Sequence, residues 1–164
     1  MEFKSLGALA LHLAGQEVAL LASLHAGLEK CAKKVEATAK AEIGHYQSGI
    51  GPFPAWAALA DSTEEQKAQM GYPADSPLLA SGAMQASITH TTGALEAVIG
   101  STDEKMVYHE FGTSKMPARP VMGPALLTNK EFIRRTLGAA TVAGLIGGQA
   151  IHTSLGYDSE ILRR

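Results

Sequence analysis

The stretch Tyr108-His-Glu-Phe-Gly-Thr-Ser-Lys-Met-Pro-Ala-Arg-Pro-Val-Met-Gly-Pro124 places two prolines around one arginine and a third proline four residues later. Proline fixes φ and has no backbone N–H, so this stretch is predicted to lie outside helix interiors and central strands. We expect a stiff, extended and largely exposed segment, and we call residues Gly112–Pro124 the proline loop. Because a stiff loop loses little entropy on docking, it favours a protein that binds another protein over one that turns over a substrate.

Length and composition set broad limits. The 164 residues suffice for one domain, and aromatic residues make up only 5%, so the core must be built mainly from Ala, Leu, Val and Ile. A net charge of -2 gives no bulk electrostatic reason to bind nucleic acid or anionic lipid. The single cysteine, Cys31, is expected to be a small buried residue in a chain made in a reducing cytoplasm.

Two apolar segments resemble membrane or export signals only loosely. Met1–Gly15 lacks a clean signal-peptide pattern because Glu2 and His12 interrupt it. Thr136–Ile151 is the nearest approach to a membrane span, but it is shorter than the about 20 apolar residues that a span needs. We therefore expect no membrane association.

The apolar spacing predicts one long helix from Gln16 to about Tyr46, within residues 16–48, after an N-terminal arm of residues 1–15. Apolar residues three or four apart form its predicted buried stripe: Val18, Leu21, Leu24, Leu28, Cys31, Val35, Ala39 and Ile43. The Gly/Pro cluster Gly49–Pro54 ends it.

Residues 49–127 are expected to hold loops, short helices and a hairpin. Ser62 and Glu65 have the spacing of a capping box at the start of a short helix. A helical turn is expected over Leu78–Met84.

Two strand-like segments, Ser87–Thr91 and Leu95–Ile99, are separated by a predicted turn at Thr92-Gly93. For Met106–Phe111 a third strand and a short helix both remain open.

The C-terminal helix is placed in residues 128–155, with a tail at 156–164. It is predicted from Asn129 to about Gly147, because Thr128 and Glu131 have capping-box spacing. Its small residues Ala140, Gly144 and Gly148 are four apart and predict close packing on the first helix, or else a subunit contact. The whole predicts a single α+β domain, with two long helices on a small antiparallel sheet.

We find no catalytic motif. His109-Glu110 begins like the zinc-binding pattern His-Glu-x-x-His, but Thr113 stands at the second histidine position. No phosphate loop and no nucleophile elbow are present. The sequence therefore predicts no enzyme activity, no metal and no cofactor.

Arg119 and Trp56 are the candidate anchors. The guanidinium of Arg119 is suited to a carboxylate, with Glu110 as candidate, or to several backbone carbonyls. A loop-anchoring role and an intersubunit contact both remain open for it. Trp56 is expected to fix a loop onto the core.

Residues 56–127 resemble the tail-completion or neck proteins of tailed bacteriophages. The most specific block is Tyr108–Pro120, in which Glu110-Phe-Gly-Thr113 and Met116-Pro-Ala-Arg-Pro120 match the family signature. Weaker blocks come before it: Trp56, Leu59, Thr63 and Lys67; Pro77–Leu79, Ser81-Gly82 and Met84; and the hairpin region Ser87–Gly100. Val121 departs from the family, which usually has an aromatic residue there.

The resemblance implies a structural virion protein at the head–tail junction. Such proteins form homo-oligomeric rings between the portal or adaptor and the tail tube, with sixfold or twelvefold symmetry. Genomic DNA passes through the lumen without sequence-specific binding. The interaction residues that we infer are His109, Glu110, Phe111, Gly112, Met116, Pro117, Arg119, Pro120, Pro124 and Trp56.

Other functions remain open. Tail terminator and head-closure adaptor are neighbouring roles at the same junction. A small metal-dependent hydrolase using His109 and Glu110, and a membrane-associated protein using Thr136–Ile151, are alternatives from other classes.

Overall fold

A computed structural model describes residues 5–146. The helices are α1 (Leu6–Glu42), α2 (Asp61–Gln69), α3 (Ala83–Ala86), α4 (Lys105–Phe111), α5 (Met122–Thr128) and α6 (Lys130–Leu145). The strands β1 (Ile88–Thr92) and β2 (Ala97–Ser101) form a two-stranded antiparallel sheet. The predicted α+β class, with long terminal helices and a small sheet, is confirmed.

Helix α1 begins ten residues before its predicted start at Gln16, so most of the expected N-terminal arm is helical. Residues 6–14 are rich in Leu and Ala, which are strong helix formers and outweigh the glycine at position 7. The helix ends at Glu42, and Gly44 follows in the left-handed region with φ 94°.

Only the second half of the predicted α1 stripe is buried. Cys31, Val35 and Ala39 are in the core, whereas Val18 is 69% exposed. Burial raises the pKa of the Cys31 thiol, in keeping with the expected small buried residue.

Among the described residues, α1 is the one helix long and apolar enough to cross a membrane by length and composition, and none of its most apolar window is buried. Core helices and signal sequences satisfy the same criterion. Part of Thr136–Ile151, the nearest approach to a span in the sequence, lies outside the described residues.

The two short helices differ from their predictions. Helix α2 follows Ala60, and no side-chain cap bond is present, so the Ser62–Glu65 capping box is wrong. The N-terminal acids Asp61 and Glu64 still favour this end of the helix dipole. Helix α3 begins only at Ala83, because Leu78 and Gly82 have positive φ angles of 64° and 82° and neither fits a right-handed turn.

The hairpin forms as predicted, with its strands shifted by one or two residues. The N–H of Gly93 donates to the carbonyl of Glu96 at 2.8 Å, so the turn covers residues 93–96 rather than Thr92-Gly93. Met106–Phe111, left open between strand and helix, lies within α4.

The predicted C-terminal helix, Asn129 to about Gly147, corresponds to α6, and the helix before it, α5, was not predicted. Thr128 ends α5 and Asn129 joins it to α6, so Thr128 does not cap a helix start. The Asn129 side-chain amide donates to Thr38 Oγ1 and to the Ala125 carbonyl, both at 2.8 Å. These bonds hold the junction between α5 and α6. Residues 147–155 of the predicted segment lie outside the described residues.

The chain divides into two compact units. The first holds the chain up to Ala32, the turn region Thr92–Ala97 and the chain from Glu131 onward; the second holds Lys33–Thr91 and Val98–Lys130. The expectation of a single domain stays a prediction.

In the first unit, α6 packs closely on α1. A Cβ on Gly144 would lie 2.5 Å from the Cα of Leu20, and one on Gly27 would lie 3.0 Å from the Cβ of Ala140. The predicted close approach through Ala140 and Gly144 is therefore seen between these helices, while Gly148 lies beyond the described residues.

Gly144→Ala is expected to destabilise the protein by roughly 1–3 kcal/mol, because its Cβ would overlap the α1 backbone. Gly15→Ala is the matched control, since a Cβ there meets nothing within 4 Å and alanine favours the helix by up to about 1 kcal/mol. Urea unfolding followed by circular dichroism measures both. Equal stabilisation by the two variants would show that the helices do not meet at Gly144.

Candidate interaction site

The site lies in the second unit and is built around the proline loop. The loop is more folded than expected. Arg119, Pro120, Val121 and Pro124 are buried, and the exposed residues lie before them. Pro124 belongs to the first turn of α5, which begins at Met122. The prediction of a largely exposed loop is thus wrong for its second half. The second half of the loop is part of the buried core.

The exposed half of the loop is a tight turn rather than an extended segment. Gly112 has φ 71° and ψ 178°, and a Cβ there would lie 2.8 Å from the amide nitrogen of Ala118. The N–H of Thr113 donates to the Met116 carbonyl at 2.8 Å, and the N–H of Met116 donates back at 3.3 Å. Glycine is needed at 112 because the chain returns so close to it.

Arg119 anchors the loop from inside. Its Nε and Nη2 donate to the carbonyl of Ala57 at 3.2 and 3.0 Å, and Nη2 also donates to the carbonyl of Ala58 at 3.1 Å. Its own N–H donates to the carbonyl of His109 at 2.7 Å. With 5% exposure, the side chain does not offer a surface contact. The expected fork on backbone carbonyls is confirmed, and the pairing with Glu110 is not seen.

Glu110 instead fixes the end of the loop. Its carboxylate accepts from the N–H groups of Val121, Met122 and Gly123 at 2.7, 3.2 and 3.3 Å. These donors lie at the start of α5 and would otherwise lack intrahelical acceptors. A negative charge at this end also suits the helix dipole.

Trp56 closes the same network. Its indole N–H donates to the carbonyl of Pro120 at 3.1 Å, and the residue is 6% exposed. The expected role of Trp56, fixing a loop onto the core, is confirmed. Val121, the departure from the family pattern, is fully buried, so it contributes to the core rather than to the surface.

A buried carboxyl, Glu42, is the residue that motif reasoning missed. It is 7% exposed, and its Oε2 has no hydrogen-bond partner within residues 5–146. Burial and the nearby charge of Glu110 raise the pKa of Glu42 to about 7. Glu42 lies three residues after Ala39 and therefore on the buried face of α1, and this spacing can be read from the sequence.

His109 is a second titratable group of the site and is half-buried. Its Nδ1 is enclosed and has no hydrogen-bond partner among the described residues. Burial, aided by the charge of Arg119, lowers the pKa of His109, which favours the neutral imidazole. Within the described part of the chain, no group of three His, Cys, Asp or Glu side chains is placed to hold a metal ion.

A cavity of about 350 Å³ opens beside the loop. Its apolar lining includes Leu59, Leu78 and Met116, and its charged lining residues are all basic: Lys67, Lys115 and Arg119. We call it the basic cavity. The left-handed φ of Leu78 is a backbone strain that most non-glycine residues avoid, and such strain tends to accumulate at functional sites.

The predicted site residues fall into two groups. Trp56, His109, Glu110, Arg119 and Pro120 form the hydrogen-bonded network that shapes the loop. Phe111 and Pro117 are exposed, and Met116 is half-buried. Phe111, at 79% exposure, follows the exposed Val107 and Tyr108 on α4. The outward apolar surface thus comes from α4 and the turn after it.

Comparison with protein-family models, with curated proteins and with solved structures finds no match to this chain.

Arg119→Lys is expected to lower the free energy of unfolding by roughly 1–3 kcal/mol, because an ammonium cannot reproduce the fork on Ala57 and Ala58. Arg134→Lys is the matched control: its partner Glu131 lies on the same exposed helix face, and a small effect is expected there. Denaturant midpoints measure both. Similar small losses would contradict the anchoring role of Arg119.

Glu42 is expected to make stability pH-dependent. Its pKa is about 7 in the folded chain, against an ordinary value of 4.5, so the folded state holds the extra proton between these values. The contribution of Glu42 to stability should therefore fall as pH rises from about 4.5 to about 7, by on the order of 3 kcal/mol in all.

Glu42→Gln should remove that dependence. The variant should be more stable than the wild type at about pH 8 and nearly equal to it at about pH 4.5. Thermal unfolding at the two pH values measures the effect, with Glu17→Gln as the exposed control. A stability difference between the wild type and Glu42→Gln that stays the same at the two pH values would refute the assignment.

Proposed function

We propose that the chain is a structural subunit of the phage head–tail junction, a neck or tail-completion protein that acts by self-association and by docking neighbouring rings. The observation that carries the proposal is the agreement between the family-like signature and the architecture of the loop. Glu110, Gly112, Arg119 and Pro120 each have a contact or conformation that forms the loop.

The loop is held in place before any partner is bound. Because its conformation is fixed by bonds within the chain, little entropy remains to be lost on docking. Phe111 presents an aromatic side chain beside it, the type of residue that most often anchors protein interfaces. A rigid scaffold with an exposed aromatic residue suits a docking role.

A tail terminator or a head-closure adaptor would use the same kind of surface. The identity of the bound partner distinguishes these two roles from the neck role. In this proposal DNA passes through the ring lumen without sequence-specific contacts, for which the net charge of -2 is suitable.

A membrane-associated protein is the second candidate, and α1 is the observation that favours it. Its apolar first half is exposed, with Leu6 at 85% and Leu11 at 78% exposure. The same face would also suit a protein neighbour, so flotation with liposomes decides between the two.

Phe111→Ser tests the docking role. We expect the folded variant to bind tail tubes about 30-fold more weakly, because removal of an aromatic anchor costs roughly 2 kcal/mol of binding free energy. Native mass spectrometry of the protein, alone and mixed with tail tubes of the phage that carries it, measures rings and tube binding. Met70→Ser, at 60% exposure on the end of α2, is the control.

Closed rings, or complexes with tube ends, for the wild type and Met70→Ser but not for Phe111→Ser would support the proposal. A wild type that ignores tubes and floats with liposomes would overturn it in favour of the membrane candidate.

A further inference from the structure

The charged side chains that line the basic cavity are all positive, and no carboxylate is among them. Arg119 is buried and bonds only carbonyl oxygens, and no carboxylate of the described chain pairs with it. The ammonium of Lys67 donates to the carbonyl of Ser76 at 2.5 Å, and Lys115 is exposed at the rim. Lys115 pairs with no carboxylate of the described chain, so a carboxylate at the mouth of the cavity would be attracted to its ammonium.

The cavity is also largely apolar. Leu59, Leu78, Met116 and Pro117 contribute to its lining, and its volume of about 350 Å³ is suited to one or two side chains. The group that fits this lining combines an apolar side chain with an adjacent carboxylate.

The chain carries such a group at the tip of its hairpin. Leu95 is 64% exposed, and the next residue, Glu96, is exposed too. The carboxylate of Glu96 has no hydrogen bond or ion pair among the described residues. The N–H of Gly93 donates to the Glu96 carbonyl at 2.8 Å, which fixes the turn that presents both side chains.

We propose that the hairpin tip of one copy, Leu95 and Glu96, docks into the basic cavity of a second copy. Leu95 packs on the apolar lining, and Glu96 pairs with the rim ammonium of Lys115. The tip and the cavity are different surfaces, so each copy can give one contact and receive another. A contact of this head-to-tail kind closes a ring or extends a filament. The inference rests on the self-association in the proposed function and names its contact.

A charge exchange tests the pairing. Glu96→Lys and Lys115→Glu, both at exposed positions, should each weaken self-association by about tenfold in sedimentation velocity. An equimolar mixture of the two variants should recover it, because each tip then meets a cavity rim of opposite charge. Glu17→Lys is the control for a change of net charge. Single variants that associate like the wild type would overturn the proposal.

Disulfide trapping gives an answer even where association is weak. In a Cys31→Ala background, Glu96→Cys mixed with Lys115→Cys and oxidised glutathione should form the mixed disulfide about tenfold faster than Glu17→Cys mixed with Lys115→Cys. Mass spectrometry of the non-reduced products measures the rates. Equal rates would overturn the contact.

The two proposals fail separately. Tube binding by a wild type whose trapping rate equals the control leaves the neck role standing and removes this contact. Rapid trapping without tube binding supports the contact and counts against the neck role.

Discussion

The buried guanidinium of Arg119 on the carbonyls of Ala57 and Ala58 is the interaction on which the second unit depends. It joins the segment after Trp56 to the chain that leaves the Gly112 turn. Trp56 binds back to Pro120, and Glu110 holds the N–H groups that follow. Three prolines alone could not specify this geometry. Proline restricts φ, but side-chain bonds decide where a restricted segment goes.

The same arrangement explains why the loop combines buried and exposed parts. Arg119 to Val121 fill the interior, and the turn before them stays outside with Phe111 beside it. The buried half supplies rigidity, and the exposed half supplies surface. Arg119 adds a positive charge to the lining of the basic cavity and Lys115 adds another at its rim, so the cavity is suited to an acidic partner.

Local patterns predicted more of the fold than of the site. Apolar residues three or four apart and the Gly/Pro cluster after them predicted α1, and two strand-like segments with a turn between them predicted the hairpin. These signals act within a few residues. The short helix α5 was missed, and the Asn129 side chain that follows it bonds Thr38, which is distant in sequence. The partner of Glu110 was missed for a similar reason: backbone N–H groups carry no sequence signature. The spacing of Glu42 predicts its burial, but the lack of a partner for its Oε2 among the described residues depends on the surrounding packing and could not be predicted.

Pre-organisation of the loop is the central claim, and amide hydrogen exchange of the isolated protein tests it most directly. The N–H groups of Arg119 and Val121 bond His109 and Glu110, so they should exchange as slowly as those in the buried part of α1. The N–H of Ser114, for which no such bond is present, should exchange rapidly. Equally fast exchange at all three amides would show that the loop is not held before a partner binds.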